Sequence, residues 1–148
     1  MKILVINGPN LNMLGKRDAS IYGSQTLSEI ERRIQDKADS MGVKIELFQS
    51  NHEGEIIDYV QKLAFEADGI VINSGALTHY GLSVKDALTD SRLPIVEVHL
   101  SNIHAREEFR RDSVIAPVAI GQIVGLGWKG YLFAVEFLVS YINEHTGS

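Results

Sequence analysis

The sequence predicts an α/β fold: a doubly wound, five-stranded parallel sheet with helices on both faces. One observation predicts the architecture and a second predicts the number of domains. Short apolar runs alternate with longer segments of helical periodicity along the chain, which is typical of parallel strands joined by helical crossovers. The length of 148 residues fits one domain, so we expect residues 1–148 to form a single unit.

The composition narrows the class of protein. Hydrophobic residues make up 45% and charged residues 22%, as in ordinary globular proteins. The chain has no cysteines, which excludes disulfides and thiolate chemistry. A net charge of −5 disfavours a general binder of nucleic acid or of anionic membranes, although it permits a local basic pocket for an acidic metabolite. No apolar run is long enough for a signal peptide core or a membrane span, so we expect a soluble cytoplasmic protein.

The first elements follow from local patterns. Residues 3–7 form a short apolar run that ends at Gly-Pro, which predicts a buried strand. Residues 8–25 are polar and long for a connection in a compact domain, which indicates a functional loop or lid. Thr26 and Glu29 match a capping box at the start of an amphipathic helix, and Gly42 is suited to end that helix.

The remaining segments alternate in the same way. We predict strands at residues 43–48, 70–72, 95–99 and 118–124, and helices at residues 55–67, 78–89, 105–110 and 131–143. This order favours a flavodoxin-like layout, in which the site lies beyond the carboxyl ends of the strands. That rule selects the segments 9–22, 49–53, 73–79 and 99–102.

Three glycines, at positions 125, 127 and 130, match a dinucleotide-binding pattern. That mechanism also needs an acidic residue at the end of a further strand, about 20 residues later. The residues after Gly130 read as a helix and a tail, so we favour a tight strand-to-helix connection. Ser74 does not match a nucleophile elbow, because Ile72 stands where that turn needs glycine.

Glu97 and His99 stand two residues apart on one predicted strand, so their side chains share a face of the sheet. A carboxylate beside an imidazole orients the ring and stabilises the protonated form that a general acid needs. A purely structural Glu–His pair fits the spacing equally well. The histidines lack the helical spacing of a zinc hydrolase, so we expect no metal site.

Arg17 and Tyr22 share the long loop at residues 8–25. Tyrosine acts as a base only as the phenolate, which a nearby guanidinium stabilises. The spacing permits contact between the two side chains but does not require it, and an exposed loop tyrosine is the alternative. Arg106 and Arg110 lie among acidic residues on a solvated segment, although one arginine turned into the cleft would bind a carboxylate bidentately.

Six motifs together resemble type II 3-dehydroquinate dehydratases, in the family's order and spacing. They are INGPNLNMLG at 6–15, IYG at 21–23, FQSNHEG at 48–54, INSGALTH at 72–79, EVHLSN at 97–102 and REEFR at 106–110. The resemblance implies a flavodoxin-like catalytic domain. It also implies cofactor-free dehydration of 3-dehydroquinate to 3-dehydroshikimate through an enolate, in the shikimate pathway that leads to chorismate and the aromatic amino acids.

The resemblance also implies roles for individual residues. Tyr22 corresponds to the base and Arg17 to the group that favours its phenolate. His99 corresponds to the acid that protonates the leaving hydroxyl, and Glu97 orients it. Asn10 corresponds to an asparagine that helps hold a water near the enolate oxygen. The implied substrate-binding positions are Asn73, His79, Asp86, Leu100, Ser101 and Arg110.

The family's assembly is a dodecamer built from trimers, in which Asp86 would reach the site of a neighbouring subunit. The segment 131–139 is apolar nearly all round, as expected for a helix in the core or at an interface. No metal, nucleic acid or membrane is implied as a partner.

The sequence departs from the family pattern at positions outside the proposed catalytic set. Asp18-Ala19 replaces a usual Glu-Pro, and the loss of proline predicts a less preorganised lid. Ser74 replaces a usual proline and Leu77 a usual tyrosine. The alternative function is a non-catalytic or flavin- or nucleotide-binding module of the same fold. A flavodoxin would need a hydroxyl-rich phosphate loop after the first strand, and residues 8–13 do not provide one.

Overall fold

A computed structural model describes residues 1–146 and shows one parallel sheet in the order β2-β1-β3-β4-β5. The strands are β1 (Lys2–Asn7), β2 (Lys44–Gln49), β3 (Gly69–Asn73), β4 (Ile95–His99) and β5 (Gly121–Val124). This order reverses direction between β1 and β3, which is the switch point of a flavodoxin-like sheet. The prediction of a doubly wound α/β fold is confirmed.

Helices cover both faces of the sheet. They are α1 (Ala19–Tyr22), α2 (Leu27–Ser40), α3 (Glu53–Leu63), α4 (Leu82–Ser91) and α5 (Lys129–Thr146). In β1, Ile3 and Val5 pack with the α2 and α5 side of the core, while Leu4 and Ile6 pack with the α3 and α4 side. Burial on both faces is why the strand is a continuous apolar run. Within residues 1–146, no helix is long and apolar enough to cross a membrane.

The structure contains the start and end features that the sequence predicts for α2. The Thr26 hydroxyl accepts a hydrogen bond from the backbone N–H of Glu29, and the Glu29 carboxylate accepts one from the N–H of Thr26. Gly42 follows the helix with a φ of 69°, a conformation that costs glycine little. The capping box and the glycine stop are confirmed.

The predicted helix at 78–89 is wrong at its start. Residues Gly75–His79 form a 3-10 turn, and α4 begins only at Leu82. Gly75 has a φ of 60°, and a Cβ on it would lie 2.9 Å from the carbonyl oxygen of Pro9. The chain therefore turns sharply where two loops meet, and this turn places Thr78 inside the protein rather than on a helix surface.

Other boundaries also shift. The predicted helix at 105–110 is instead two 3-10 turns, Ile103–Ala105 and Glu108–Arg111. The predicted strand at 118–124 is shortened to β5, because a 3-10 turn with proline near its start occupies Ala116–Val118. The predicted helix at 55–67 begins earlier, at Glu53, and ends in a 3-10 turn.

Two of the three glycines after β5 lie close to neighbouring residues, whereas a Cβ on Gly127, whose φ is 61°, would meet nothing within 4 Å. A Cβ on Gly125, whose φ is 83°, would lie 3.1 Å from the Cβ of Asn102. A Cβ on Gly130 would lie 3.3 Å from Ile123 and 3.4 Å from Val98. The sequence-based interpretation as a tight strand-to-helix connection is confirmed.

Candidate active site

A pocket opens at the carboxyl ends of β1, β3 and β4, beside the switch point. The residues that line it are Pro9, Asn10, Leu11, Arg17, Tyr22, Asn73, Gly75, Ala76, His79, His99, Leu100, Ser101, Ile103, Arg106 and Arg110. Most residues selected from the sequence are therefore brought together from distant parts of the chain. Three arginines line this pocket, so it suits an anionic ligand although the whole chain is acidic.

Glu97 and His99 are in direct contact at the end of β4. The Nε2 of His99 lies 2.5 Å from the Oε2 of Glu97, and both side chains are buried. His99 also lines the pocket, whereas Glu97 does not. A strand repeat of two places these side chains on one face, and the spacing prediction holds in the structure.

Further donors surround the Glu97 carboxylate. The hydroxyls of Thr78 and Ser113 donate to Oε2 at 2.8 and 2.9 Å, and Ser113 also contacts Oε1 at 2.8 Å. Gln122 donates to Oε1 at 3.0 Å from the paired position on β5. Burial alone raises the pKa of Glu97, but the hydrogen bond and charge of His99 and the two hydroxyls hold that pKa below its usual value. Glu97 is thus a buried carboxylate in its ionised form.

Arg17 stacks on Tyr22. Its guanidinium carbon lies 3.7 Å from the centre of the phenol ring. The guanidinium carbon of Arg106 lies 5.1 Å from the same centre. Two guanidinium groups therefore lie near one tyrosine ring, and that of Arg17 is stacked on its face.

A short capped helix holds Tyr22 in place. Asp18 caps α1, because its carboxylate accepts from the backbone N–H of Ser20 at 3.0 Å and from the Ser20 hydroxyl at 2.6 Å. The Ser20 bonds lower the pKa of Asp18. The expectation of a looser lid rested on the lost proline, and the Asp18 cap is a second means of ordering the same turn.

Two further arginines share one acidic neighbour. Arg110 donates from Nε to Glu107 at 2.6 Å, and Arg106 lies 3.8 Å from the same carboxylate. Arg106 also donates to the Ser101 hydroxyl at 3.2 Å. These contacts partly bury both arginines and orient their guanidinium groups at the pocket wall.

Asn73 lies on the pocket floor and is 3% exposed. Its amide nitrogen donates to the hydroxyl of Tyr131 at 3.0 Å, and its amide oxygen accepts from the N–H of Gly75 at 3.1 Å. The Tyr131 hydroxyl in turn donates to the amide oxygen of Asn7 at 2.5 Å. Tyr131 belongs to α5 and is fully buried, so a core helix orients a group of the pocket.

The other predicted positions are divided between the pocket and the surface. His79 donates from Nδ1 to the carbonyl oxygen of Asp112 at 2.7 Å and lines the pocket. Asn10 lines it from a left-handed conformation with a φ of 71°. Leu100 and Ser101 carry the backbone along its edge. Asp86 does not line this pocket and is exposed on α4.

Sequence reasoning missed several polar residues that support the site. Thr78 and Ser113 contact Glu97 from loops, and Gln122 reaches it only through pairing of β4 with β5. The sequence indicates Tyr131 only as part of the apolar helical segment 131–139. Only Thr78 carried a local signal, because it precedes His79 in a matched motif.

In the portion described, residues 1–146, no group of three or more histidine, aspartate or glutamate side chains is arranged to hold a metal ion.

Comparisons with known proteins agree with this geometry. The family model described as Dehydroquinase class II matches residues 1–139. The 3-dehydroquinate dehydratase of Roseiflexus castenholzii is 57% identical over 148 residues, covering 100% of this chain and 94% of the relative. That of Thermotoga neapolitana is 59% identical over 144 residues, covering 97% and 98%.

Solved structures give the same result. The type II dehydroquinase of Butyrivibrio crossotus is 51% identical, covers 94% of this chain and 97% of its own, and superposes with a TM-score of 0.92. The type II dehydroquinase of Propionibacterium acnes is 40% identical, with coverages of 94% and 96% and a TM-score of 0.90. The resemblance inferred from six motifs is confirmed, and the chain belongs to the class II dehydroquinase family.

Proposed function

We propose that this chain is a 3-dehydroquinate dehydratase, a hydro-lyase that works without a cofactor and converts 3-dehydroquinate to 3-dehydroshikimate through an enolate. One observation carries the proposal: Tyr22 with its stacked Arg17, and His99 with its buried Glu97, line the same pocket. A base and an acid on one cleft are what the removal of a proton and a hydroxyl requires.

Tyr22 is the base in this proposal. As the phenolate it takes the proton next to the ketone of the substrate, and the electrons left behind form the enolate. The guanidinium of Arg17 over the ring, with Arg106 nearby, supports this role because both groups are permanent cations. Asn10, at the pocket wall, helps hold a water near the enolate oxygen.

His99 is the acid. The Nε2 of His99 is hydrogen-bonded to Glu97. In the protonated ring, Nδ1 is therefore the nitrogen that delivers a proton to the leaving hydroxyl. The enolate then collapses, the carbon–oxygen bond breaks, and water leaves. The ionised Glu97 stabilises the imidazolium and fixes its orientation before the reaction begins.

The substrate carboxylate and hydroxyls are bound by polar groups around the pocket. Arg110 provides a cation that is held by Glu107, and its fork of N–H donors suits a carboxylate. Asn73 and His79 offer further donors, each oriented by hydrogen bonds within the protein. Leu100 and Ser101 present backbone groups to the ligand.

Residues 8–25 act as a lid over this pocket. The segment carries both Arg17 and Tyr22, and it is anchored where the N–H of Asn10 donates to the Asn51 side chain at 3.0 Å. Closure excludes water from the enolate and strengthens each electrostatic contact. In this proposal residues 1–148 are a single catalytic domain, of which the structure describes residues 1–146.

The enzyme assembles as a homododecamer of trimers. Two observations support an assembly: Phe133 and Phe137 are 47% and 49% exposed on α5, and Tyr80 and Leu82 are exposed beside Asp86. Exposed apolar side chains of this size are typical of subunit interfaces. Asp86 is exposed and does not line its own pocket, and in this assembly it reaches the substrate site of a neighbouring subunit.

The enzyme acts in the cytoplasm, in the shikimate pathway toward chorismate and the aromatic amino acids, a pathway that the relatives' name, 3-dehydroquinate dehydratase, supports. A flavin- or nucleotide-binding module is not favoured, since the pocket groups are those of acid–base chemistry. A non-catalytic relative would have no need of the stacked arginine or of the buried carboxylate.

The test is a near-ultraviolet assay with 3-dehydroquinate, because the conjugated product absorbs where the substrate does not. Metal-free wild-type protein and the Tyr22→Phe variant are compared. Turnover by the wild type that is abolished in the variant supports both the reaction and the base. Turnover retained by the variant would overturn the role of Tyr22, and no turnover by folded, assembled wild-type protein would overturn the function.

A further inference from the structure

Four buried polar side chains form one continuous hydrogen-bonded row behind the pocket. The Ser74 and Thr78 hydroxyls lie 2.6 Å apart. The Thr78 hydroxyl lies 2.8 Å from Oε2 of Glu97, and the same carboxylate oxygen lies 2.5 Å from Nε2 of His99. Ser74, Thr78 and Glu97 are fully buried. Polar groups without access to solvent persist at this density only when each one is satisfied.

The direction of every proton in this row follows from the chemistry of the groups. An ionised carboxylate only accepts hydrogen bonds, so the Thr78 hydroxyl uses its single proton to donate to Glu97. The Thr78 oxygen therefore receives its second bond from Ser74, whose hydroxyl must be the donor. His99 also donates to Glu97 through Nε2.

A competing contact shows why the direction matters. The Thr78 oxygen lies 3.4 Å from Nε2 of His99, near enough to attract the imidazole proton. Donation from Ser74 takes one of the two lone pairs of that oxygen, and donation to Glu97 commits the Thr78 proton. The ionised Glu97 carboxylate, 2.5 Å from Nε2, is then the closer and stronger acceptor for the imidazole N–H.

We propose that Thr78 and Ser74 are positioning residues for the proton donor: Ser74 orients the Thr78 hydroxyl, which fixes Glu97 and so holds His99 with Nδ1 toward the substrate. The inference rests on the proposed function, in which His99 is the acid. Neither residue reaches the reacting atoms. Ser74 stands where the family pattern usually has proline, and a proline there has no hydroxyl to supply the outer link.

The kinetic test uses Thr78→Val, which keeps the shape but removes the hydroxyl, together with Ser74→Ala and the double variant. A hydrogen bond to a charged group predicts a loss of kcat of roughly 10- to 100-fold for Thr78→Val, with KM within about twofold. Thr78→Ser restores kcat to within about threefold. Ser74→Ala lowers kcat about threefold alone and adds nothing to Thr78→Val, because it acts only through Thr78.

Thr89→Val is the matched control. Its hydroxyl donates to the carbonyl of Lys85 on the exposed part of α4, so the same chemical change is made away from the row. This variant keeps the wild-type kcat. If Thr78→Val changes kcat by less than twofold, or changes it no more than Thr89→Val does, the proposal is overturned.

A second readout does not depend on turnover. Solid-state NMR of protein labelled with ¹⁵N-histidine reports the protonation and hydrogen bonding of each ring nitrogen, and His99→Gln assigns the His99 signals. We expect the Nε2 signal to shift in Thr78→Val and in Ser74→Ala but not in Thr89→Val. Unshifted signals would overturn the proposal.

The two readouts separate the two claims. If the wild type does not convert 3-dehydroquinate but the His99 signals shift as expected, the function fails and the positioning row stands. If Thr78→Val does not fold, Ser74→Ala carries the test. Its unchanged kcat and unchanged signals would overturn the inference.

Discussion

Replacing Tyr131 by phenylalanine tests how strongly the core of this enzyme is tied to its pocket. The Tyr131 hydroxyl donates to Asn7 at 2.5 Å and accepts from Asn73 at 3.0 Å. Burial raises the pKa of Tyr131, so the group stays a neutral phenol and keeps its proton for Asn7. The substitution removes one atom and leaves the ring in place.

The magnitude follows from the groups that lose partners. The Asn7 amide oxygen and the Asn73 amide nitrogen become unpaired, and each unsatisfied buried group costs about 1–3 kcal/mol. The Asn7 amide nitrogen already has no hydrogen-bond partner within residues 1–146, so no spare bond compensates. A loss of about 3 kcal/mol in the free energy of unfolding corresponds to a fall of roughly 6–12 °C in Tm for a chain of this size.

The assay is thermal unfolding followed by circular dichroism, with both proteins at the same concentration because the Tm of any oligomer depends on concentration. Tyr141→Phe is the control, since Tyr141 is a partly exposed tyrosine on the same helix. KM for 3-dehydroquinate should rise several-fold in Tyr131→Phe, because Asn73 retains only its bond from Gly75. A Tm within about 2 °C of wild type, or the same fall in Tyr141→Phe, would refute the reasoning.

Three further predictions concern the lid and the acid. Asp18→Ala should raise KM about threefold, because the turn that carries Tyr22, the proposed base, loses its N-cap. Ala19→Pro should lower KM by presetting the first helical residue, and equal KM values in steady-state kinetics would contradict this ordering role. Arg17→Lys should lower kcat more than tenfold at saturating substrate, since an ammonium does not stack on a ring as a guanidinium does. Folding lowers the pKa of Glu97 below its ordinary value of 4.5, so the ionised carboxylate stabilises the folded protein. This stabilisation is fully present above pH 4.5 and is lost as the pH falls through the lower, folded-state pKa. Acid titrations of Tm should therefore be flatter for Glu97→Gln, and parallel curves would count against this.

The predicted elements succeeded where local chemistry decides them. The capping box at Thr26 satisfies free amides within one turn, and the apolar run of β1 needs only burial on two faces. The strand repeat alone placed Glu97 and His99 on one face of the sheet, and the structure shows them in contact. The start of α4 was missed because a close approach of Gly75 to Pro9, far away in sequence, decides the backbone there.

The sequence by itself determined the order of strands and helices along the chain, the family, and the residues proposed as acid and base. These depend on periodicity and on motifs whose own residues lie within a few positions of one another. Only the tertiary structure decided that Arg17 lies over the face of Tyr22, that Thr78, Ser113 and Gln122 converge on Glu97, and that Tyr131 orients Asn73. Those contacts join groups on separate loops, strands and helices, and their geometry is set by how the sheet and its helices pack, which no local pattern specifies.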